Sequence, residues 1–221
     1  MHFFEQLSDL FKARFPLIVL NTVENQRVYR HLREFCKEAD YSLFRWNCVE
    51  GMLDMGLGQG TELAVGDIIS DPEQVLTEIQ RRLDEREQEL FVLEGLFEFI
   101  EFASVKVLLN KLTTDLPKSL GAKHVVLLNP GIAVPSDLAR LLPTLDVPLP
   151  SEEELAHMLE VVAQKYQATL AEEARRVIAA EAVGMTEKEA QLAFQLVAVR
   201  SGFGIGATEV VREAKSWIQS K

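Results

Sequence analysis

Four polar residues stand where short apolar runs stop, and each could do nucleotide chemistry. Asn21 and Thr22 follow Leu17-Ile18-Val19-Leu20, Glu94 follows Leu90-Phe91-Val92-Leu93, and Asn129 follows His124-Val125-Val126-Leu127-Leu128. A carboxylate such as Glu94 at a strand end can hold magnesium or activate water, and an amide such as Asn129 can face a bound phosphate. The phosphates themselves need a glycine-rich loop, whose backbone N–H groups turn toward the anion, and a lysine to reach the outer oxygens. The stretch Leu20-Asn21-Thr22-Val23-Glu24-Asn25-Gln26-Arg27 has neither glycine nor lysine. Glu24 would also repel phosphate at a helix N-terminus. Asn21 as an N-cap, with Glu24 closing a capping box, accounts for these residues without a ligand. A loop-initiating role before Pro130 accounts equally for Asn129.

Other chemistry finds no constellation. Gly56-Leu57-Gly58-Gln59-Gly60-Thr61 lacks lysine and does not join the first apolar run to its helix, so it reads as a loop. Gly202-Phe203-Gly204-Ile205-Gly206 lies between two helical segments and reads as a helix stop or hinge. His2, His31, His124 and His157 have no metal-ligand spacing, so no metal is expected. Cys36 falls on an apolar stripe, and Cys48 has no neighbouring histidine to make it a nucleophile.

The elements that would position these residues alternate. Phe3, Phe4, Leu7, Leu10 and Phe11 repeat with helical spacing up to Pro16, and Leu17–Leu20 is a strand apolar on both faces, as a parallel sheet requires. A helix follows with Val28, Leu32, Phe35, Cys36 and Ala39 inward, then a strand from Tyr41 to Trp46. Gly51 to Gly66 reads as a loop. Asp71-Pro72-Glu73-Gln74 is a helix start that leads into Val75, Leu76, Ile79 and Leu83. Strands at 90–93, 124–128 and 145–149 alternate with helices at 104–116 and 136–141. The fold class expected is α/β with a five-stranded parallel sheet, occupying residues 1–150.

Residues 151–221 read as a small all-helical domain. Ser151-Glu152-Glu153-Glu154 and Thr186-Glu187-Lys188-Glu189 are capping boxes. The inward stripes are Leu155, Met158, Leu159, Val162 and Tyr166; Leu170, Ala174, Val177 and Ile178; Ala190, Ala193, Phe194 and Val197; and Val210, Val211, Ala214 and Trp217.

Composition removes whole classes of function. The 221 residues carry a net charge of −11, which opposes a nucleic-acid-binding face, since phosphates are neutralised by clustered Lys and Arg. The longest apolar stretch, Leu90 to Leu109, is broken by Glu94, Glu98, Glu101 and Lys106, so no membrane span is expected. Two cysteines and no signal peptide at Met1 suit a reducing cytoplasm.

This order of elements resembles an AAA+ module, with its phosphate loop after strand one, an acid after strand three, a polar sensor after strand four and a helical lid after strand five. More closely, it resembles the N-terminal half of the AAA ATPases conserved in cyanobacteria and red-algal plastids. The matching stretches are Arg14–Arg27, Leu43–Gly51, Val125–Pro130 and Leu145–Ser151. The resemblance implies a P-loop NTPase-like core without a P-loop, followed by a lid. Asn21, Thr22, Glu94 and Asn129 would then be the positions of a degenerate pocket. No catalytic residue and no cofactor are expected in this chain; ATP and Mg would belong to an intact partner module. Arg140, nearest the position of an arginine finger, lacks that motif. The implied compartment is the cytoplasm or the plastid stroma.

Three functions follow from these readings. The first is a catalytically silent AAA-like module that offers oligomerisation or partner-binding surfaces. The second is a nucleotide-binding ATPase with an unorthodox pocket built on Glu94 and Asn129. The third is an adaptor sharing only the architecture.

Overall fold

The computed structural model describes residues 3–56, 63–64 and 68–219, and the chain divides into two compact units, Met1–Val147 and Pro148–Lys221. Among the described residues the first unit is built on seven strands: β1 (Leu17–Asn21), β2 (Ser42–Asn47), β3 (Gly51–Asp54), β4 (Leu63–Ala64), β5 (Glu89–Glu94), β6 (Lys123–Asn129) and β7 (Thr144–Asp146). They lie in the order β4-β3-β2-β5-β6-β1-β7. Helices α1 (Phe3–Lys12), α2 (Asn25–Ala39), α3 (Pro72–Arg81), α4 (Ala103–Asp115) and the single turn α5 (Ser136–Ala139) connect and cover them.

Successive strand side chains point to opposite faces, so the continuous apolar runs feed two cores at once. Leu17, Val19, Phe91, Leu93, Val125 and Leu127 pack with Val75, Leu76 and Ile79 of α3 and Val105, Leu109 and Leu112 of α4. Ile18, Leu20, Leu90, Val92, Val126 and Leu128 pack with Phe4, Leu7 and Phe11 of α1 and Val28, Leu32 and Cys36 of α2. Each such side chain contributes about 1.5–3 kcal/mol by leaving water. The parallel pairs β2–β5, β5–β6, β6–β1 and β1–β7 are the expected α/β sheet.

The sheet is wider than five parallel strands. Part of the stretch expected to be a loop turns back as β3 and β4, both antiparallel. The cause lies in the turn after β2. Asn47 Oδ1 accepts from the backbone N–H groups of Val49 and Glu50 at 2.9 and 2.8 Å, and Gly51 takes φ +75°. A Cβ at Gly51 would also lie 2.9 Å from Ile68 Cγ2, so this position is glycine on two counts. The Gly58 and Gly60 positions of the glycine cluster lie outside the described residues. The last strand starts one residue earlier than expected and stops before Pro148, which has no N–H to donate to a ladder.

The second unit is helical: α6 (Glu152–Lys165), α7 (Glu172–Glu181), α8 (Glu187–Ser201) and α9 (Ala207–Gln219). Both capping boxes are formed, by Ser151 with Glu154 and by Thr186 with Glu189. Its core holds Leu155, Leu159, Val162, Ile178, Phe194, Val197 and Val211. Three residues expected inward face solvent instead: Tyr166, Val177 and Trp217. Tyr166 ends α6 as its C-cap, where the helical period no longer applies, and Trp217 lies under the Arg200 guanidinium at 5.4 Å from the ring centroid. Gly202 closes α8 in the left-handed conformation, the helix stop expected of the second glycine run.

Candidate functional site

The carboxyl ends of β1, β6 and β5 meet the first turn of α2, where an open α/β sheet ordinarily binds ligands. Parallel register places Asn21 beside both Asn129 and Asp146. The Asn129 side chain, fully buried, donates from Nδ2 to Asn21 Oδ1 (2.9 Å) and to the Ile132 carbonyl (2.7 Å), and Oδ1 accepts from the Ile132 N–H (2.9 Å). Both hydrogens of that amide are therefore committed within the protein. Asn21 in turn donates to Asp146 Oδ1 at 2.8 Å.

Asn21 is the last residue of β1 and does not cap α2, contrary to the expectation. The helix begins after Glu24, which occupies the N-cap position without a side-chain cap bond. The Thr22 N–H donates to the Asn129 carbonyl (2.8 Å), and Thr22 Oγ1 accepts from the Glu24 N–H (2.8 Å). The Glu24 carboxylate pairs at 3.2 Å with the Arg27 guanidinium, and both side chains are almost wholly buried. The β1–α2 turn is held short by these contacts, with no positive φ between Leu20 and Gln26. An anion nest needs alternating right- and left-handed residues to converge its N–H groups, and this turn does not make one.

Glu94, half-buried at the end of β5, accepts from Asn25 Nδ2 at 3.1 Å. Thus Asn21, Thr22 and Asn129 form one connected cluster, and Glu94 joins the same helix start through Asn25. Sequence reasoning missed Asn25, Asp146 and the Glu24–Arg27 pair. Asp146 is visible only through the register of β7 on β1, and a buried ion pair three residues apart looks like any surface i,i+3 pair in sequence. Arg140 is exposed at the end of α5. Cys36 is buried, which pushes its thiol up to about 12 and makes it inert. Among the described residues no group of three His, Cys, Asp or Glu is placed to hold a metal ion, and no helix is long and apolar enough to cross a membrane.

The fold is shared with solved AAA domains. FIGL-1 AAA domain in complex with ADP matches with TM-score 0.64 and 9% identity over 93% of this chain and 72% of that one. PCH-2 of C. elegans matches with TM-score 0.60 and 10% identity over 98% and 67%. In sequence, the AAA domain-containing protein ycf46 of Trieres chinensis is 28% identical over 160 residues, covering 72% of this chain and 30% of that protein. Its counterpart in Guillardia theta is 24% identical over 226 residues, covering 100% and 42%. The chain thus spans between about a third and two fifths of the length of these relatives. The family model for the SpoVK-like AAA ATPase N-terminal domain matches residues 3–147, and the chain belongs to that family.

Proposed function

We propose that this chain is a catalytically silent AAA-like module that provides oligomerisation or partner-binding surfaces to an AAA+ ATPase. The observation that carries this reading is the β1–α2 turn. Where a triphosphate would need converging N–H groups and a lysine, the turn has a Thr22–Glu24 backbone tie and a buried Glu24–Arg27 pair. The residues at this edge do not fit a magnesium–triphosphate group. Glu24 puts a carboxylate at the N-cap of α2, and the nearby guanidinium of Arg27 is already engaged by it. Asn129 and Glu94 act as ties: one joins β6 to β1 and the loop at Ile132, and the other holds the start of α2 through Asn25. Phosphoryl transfer depends on positioning and charge stabilisation, and the β1–α2 turn offers neither converging N–H groups nor a lysine for them. The helical unit takes the place of a lid, and the working compartment is the cytoplasm or the plastid stroma.

Isothermal titration calorimetry with ATP and ADP, with and without Mg²⁺, tests the reading. No binding heat is expected up to millimolar ligand. A micromolar dissociation constant would overturn it and favour an ATPase with an unorthodox pocket at Glu94 and Asn129.

A further inference from the structure

Beside the carboxyl end of β5, three aromatic rings step outward from the core. Trp46 is wholly buried, Phe99 is half-buried with its ring centroid 6.5 Å from that of Trp46, and Phe102 stacks at 6.5 Å from Phe99 with 58% of its surface exposed. The backbone holds this arrangement: the Phe102 N–H donates to the Phe99 carbonyl at 3.1 Å, and the Phe102 carbonyl accepts from the Lys106 backbone N–H at 3.2 Å. Phe102 therefore presents its ring from a backbone position hydrogen-bonded on both sides.

The fold does not account for a phenylalanine here. Phe102 is the N-cap of α4 and makes no side-chain cap bond, at a position where Ser, Thr, Asp or Asn would satisfy an N–H that phenylalanine leaves open. An exposed aromatic that also forgoes a helix cap is costly twice, and ordered aromatics are the anchors that binding surfaces favour. The surrounding charge is negative. Glu98 and Glu101 are exposed within the same short segment, and Lys106 pairs with Glu101 only at 4.0 Å.

We infer that this rim docks a basic segment of a partner protein, with an apolar side chain of that segment seated on Phe102 and Phe99 and its Lys or Arg residues facing Glu98 and Glu101. Charge complementarity decides the occupant. A second copy meeting the rim face to face would set Glu98 and Glu101 against their own likenesses, on a chain already carrying −11. The inference rests on the partner-binding reading above and gives it a chemistry.

The test measures fluorescence anisotropy of a labelled twelve-residue peptide of alternating Lys and Leu against the full chain, beside a charge-matched peptide of Lys and Ser. The Lys-Leu peptide is expected to bind at least tenfold more tightly than the Lys-Ser peptide. Phe102→Ser should remove that difference while holding or raising the melting temperature, because serine restores the cap. Glu101→Lys, at a side chain exposed in the folded protein, should weaken the Lys-Leu peptide at least fivefold and serves if the first variant misfolds. Equal binding of both peptides, or a Lys-Leu affinity indifferent to Phe102→Ser and Glu101→Lys, would overturn the inference, as would a dimer in sedimentation that Phe102→Ser turns into monomer. No nucleotide enters this experiment, so its failure leaves the silent pocket untouched, and a positive ATP titration leaves the rim standing.

Discussion

Asn129 and Asn21 end adjacent parallel strands in register, and the amide of Asn129 donates to Asn21 Oδ1 at 2.9 Å. The position where a polar side chain could face phosphate instead ties two strands and a loop together. Asn129→Ala leaves the Ile132 N–H and carbonyl without this partner in a partly buried setting. It should cost about 1–3 kcal/mol in urea unfolding. Asn129→Asp should not rescue, because a carboxylate cannot donate to Asn21 Oδ1 or to the Ile132 carbonyl.

The Glu24–Arg27 pair makes a stronger demand. Removing one member takes an ion-pair partner from a charge that stays buried, so Glu24→Ala should destabilise the fold, by up to about 3–5 kcal/mol. Replacing both, as Glu24→Leu with Arg27→Met, should recover most of that loss, since a buried pair repays little more than its own desolvation. A denaturant double-mutant cycle reads the coupling.

Glu94→Gln keeps an oxygen able to accept from Asn25 Nδ2. Stability should change by less than about 0.5 kcal/mol, a shift typical of substitutions that keep their contacts. Phosphate release from ATP should be the same for both proteins, at the level of the buffer blank. A fall in turnover on this substitution would show that Glu94 does chemistry.

Phe194 is wholly buried in the helical unit. Phe194→Ala should destabilise that unit by about 3–5 kcal/mol, the transfer term plus the cavity. Thermal unfolding followed by circular dichroism reads it.

His124 supplies a pH prediction. Its Nδ1 lies 2.8 Å from the Phe15 carbonyl and its Nε2 lies 3.3 Å from the Tyr41 hydroxyl. Burial pushes Tyr41 up, so it stays protonated and can donate to Nε2. Burial likewise holds His124 below the ordinary histidine value of 6.5, with Arg14 adding to that effect and the Phe15 carbonyl opposing it. Below pH 6.5 the unfolded chain takes a proton that the folded chain refuses, so stability falls as pH drops, by at most about 1.4 kcal/mol per pH unit. Above pH 6.5 both states are neutral and the contribution vanishes. His124→Gln should flatten the slope between pH 6.5 and 5. The separate loss from Glu78, held low chiefly by Arg81, should remain at pH values below the ordinary carboxylate range.

The five parallel strands, the two capping boxes and Phe194 in the helical core were legible because apolar runs and cap residues act locally: a side chain's face follows from its position along its own element. The lack of glycine and lysine after β1 was equally plain, since it concerns eight consecutive residues. The β3 turn was hidden by its brevity, for a four-residue strand carries too few alternations to show a period.

What the chain alone could not decide was which polar residues meet. Asn21 finds Asp146 across 125 positions and Asn129 across 108, and Asn25 finds Glu94 across 69. These distances close only when parallel strands settle into register, because a register shift of one residue sends every side chain to the opposite face. Local sequence therefore determined the apolar layers and the lack of glycine and lysine after β1. Tertiary structure decided that the polar strand ends satisfy one another and that Phe102 stands open beside carboxylates, since burial and pairing are properties of the assembled sheet.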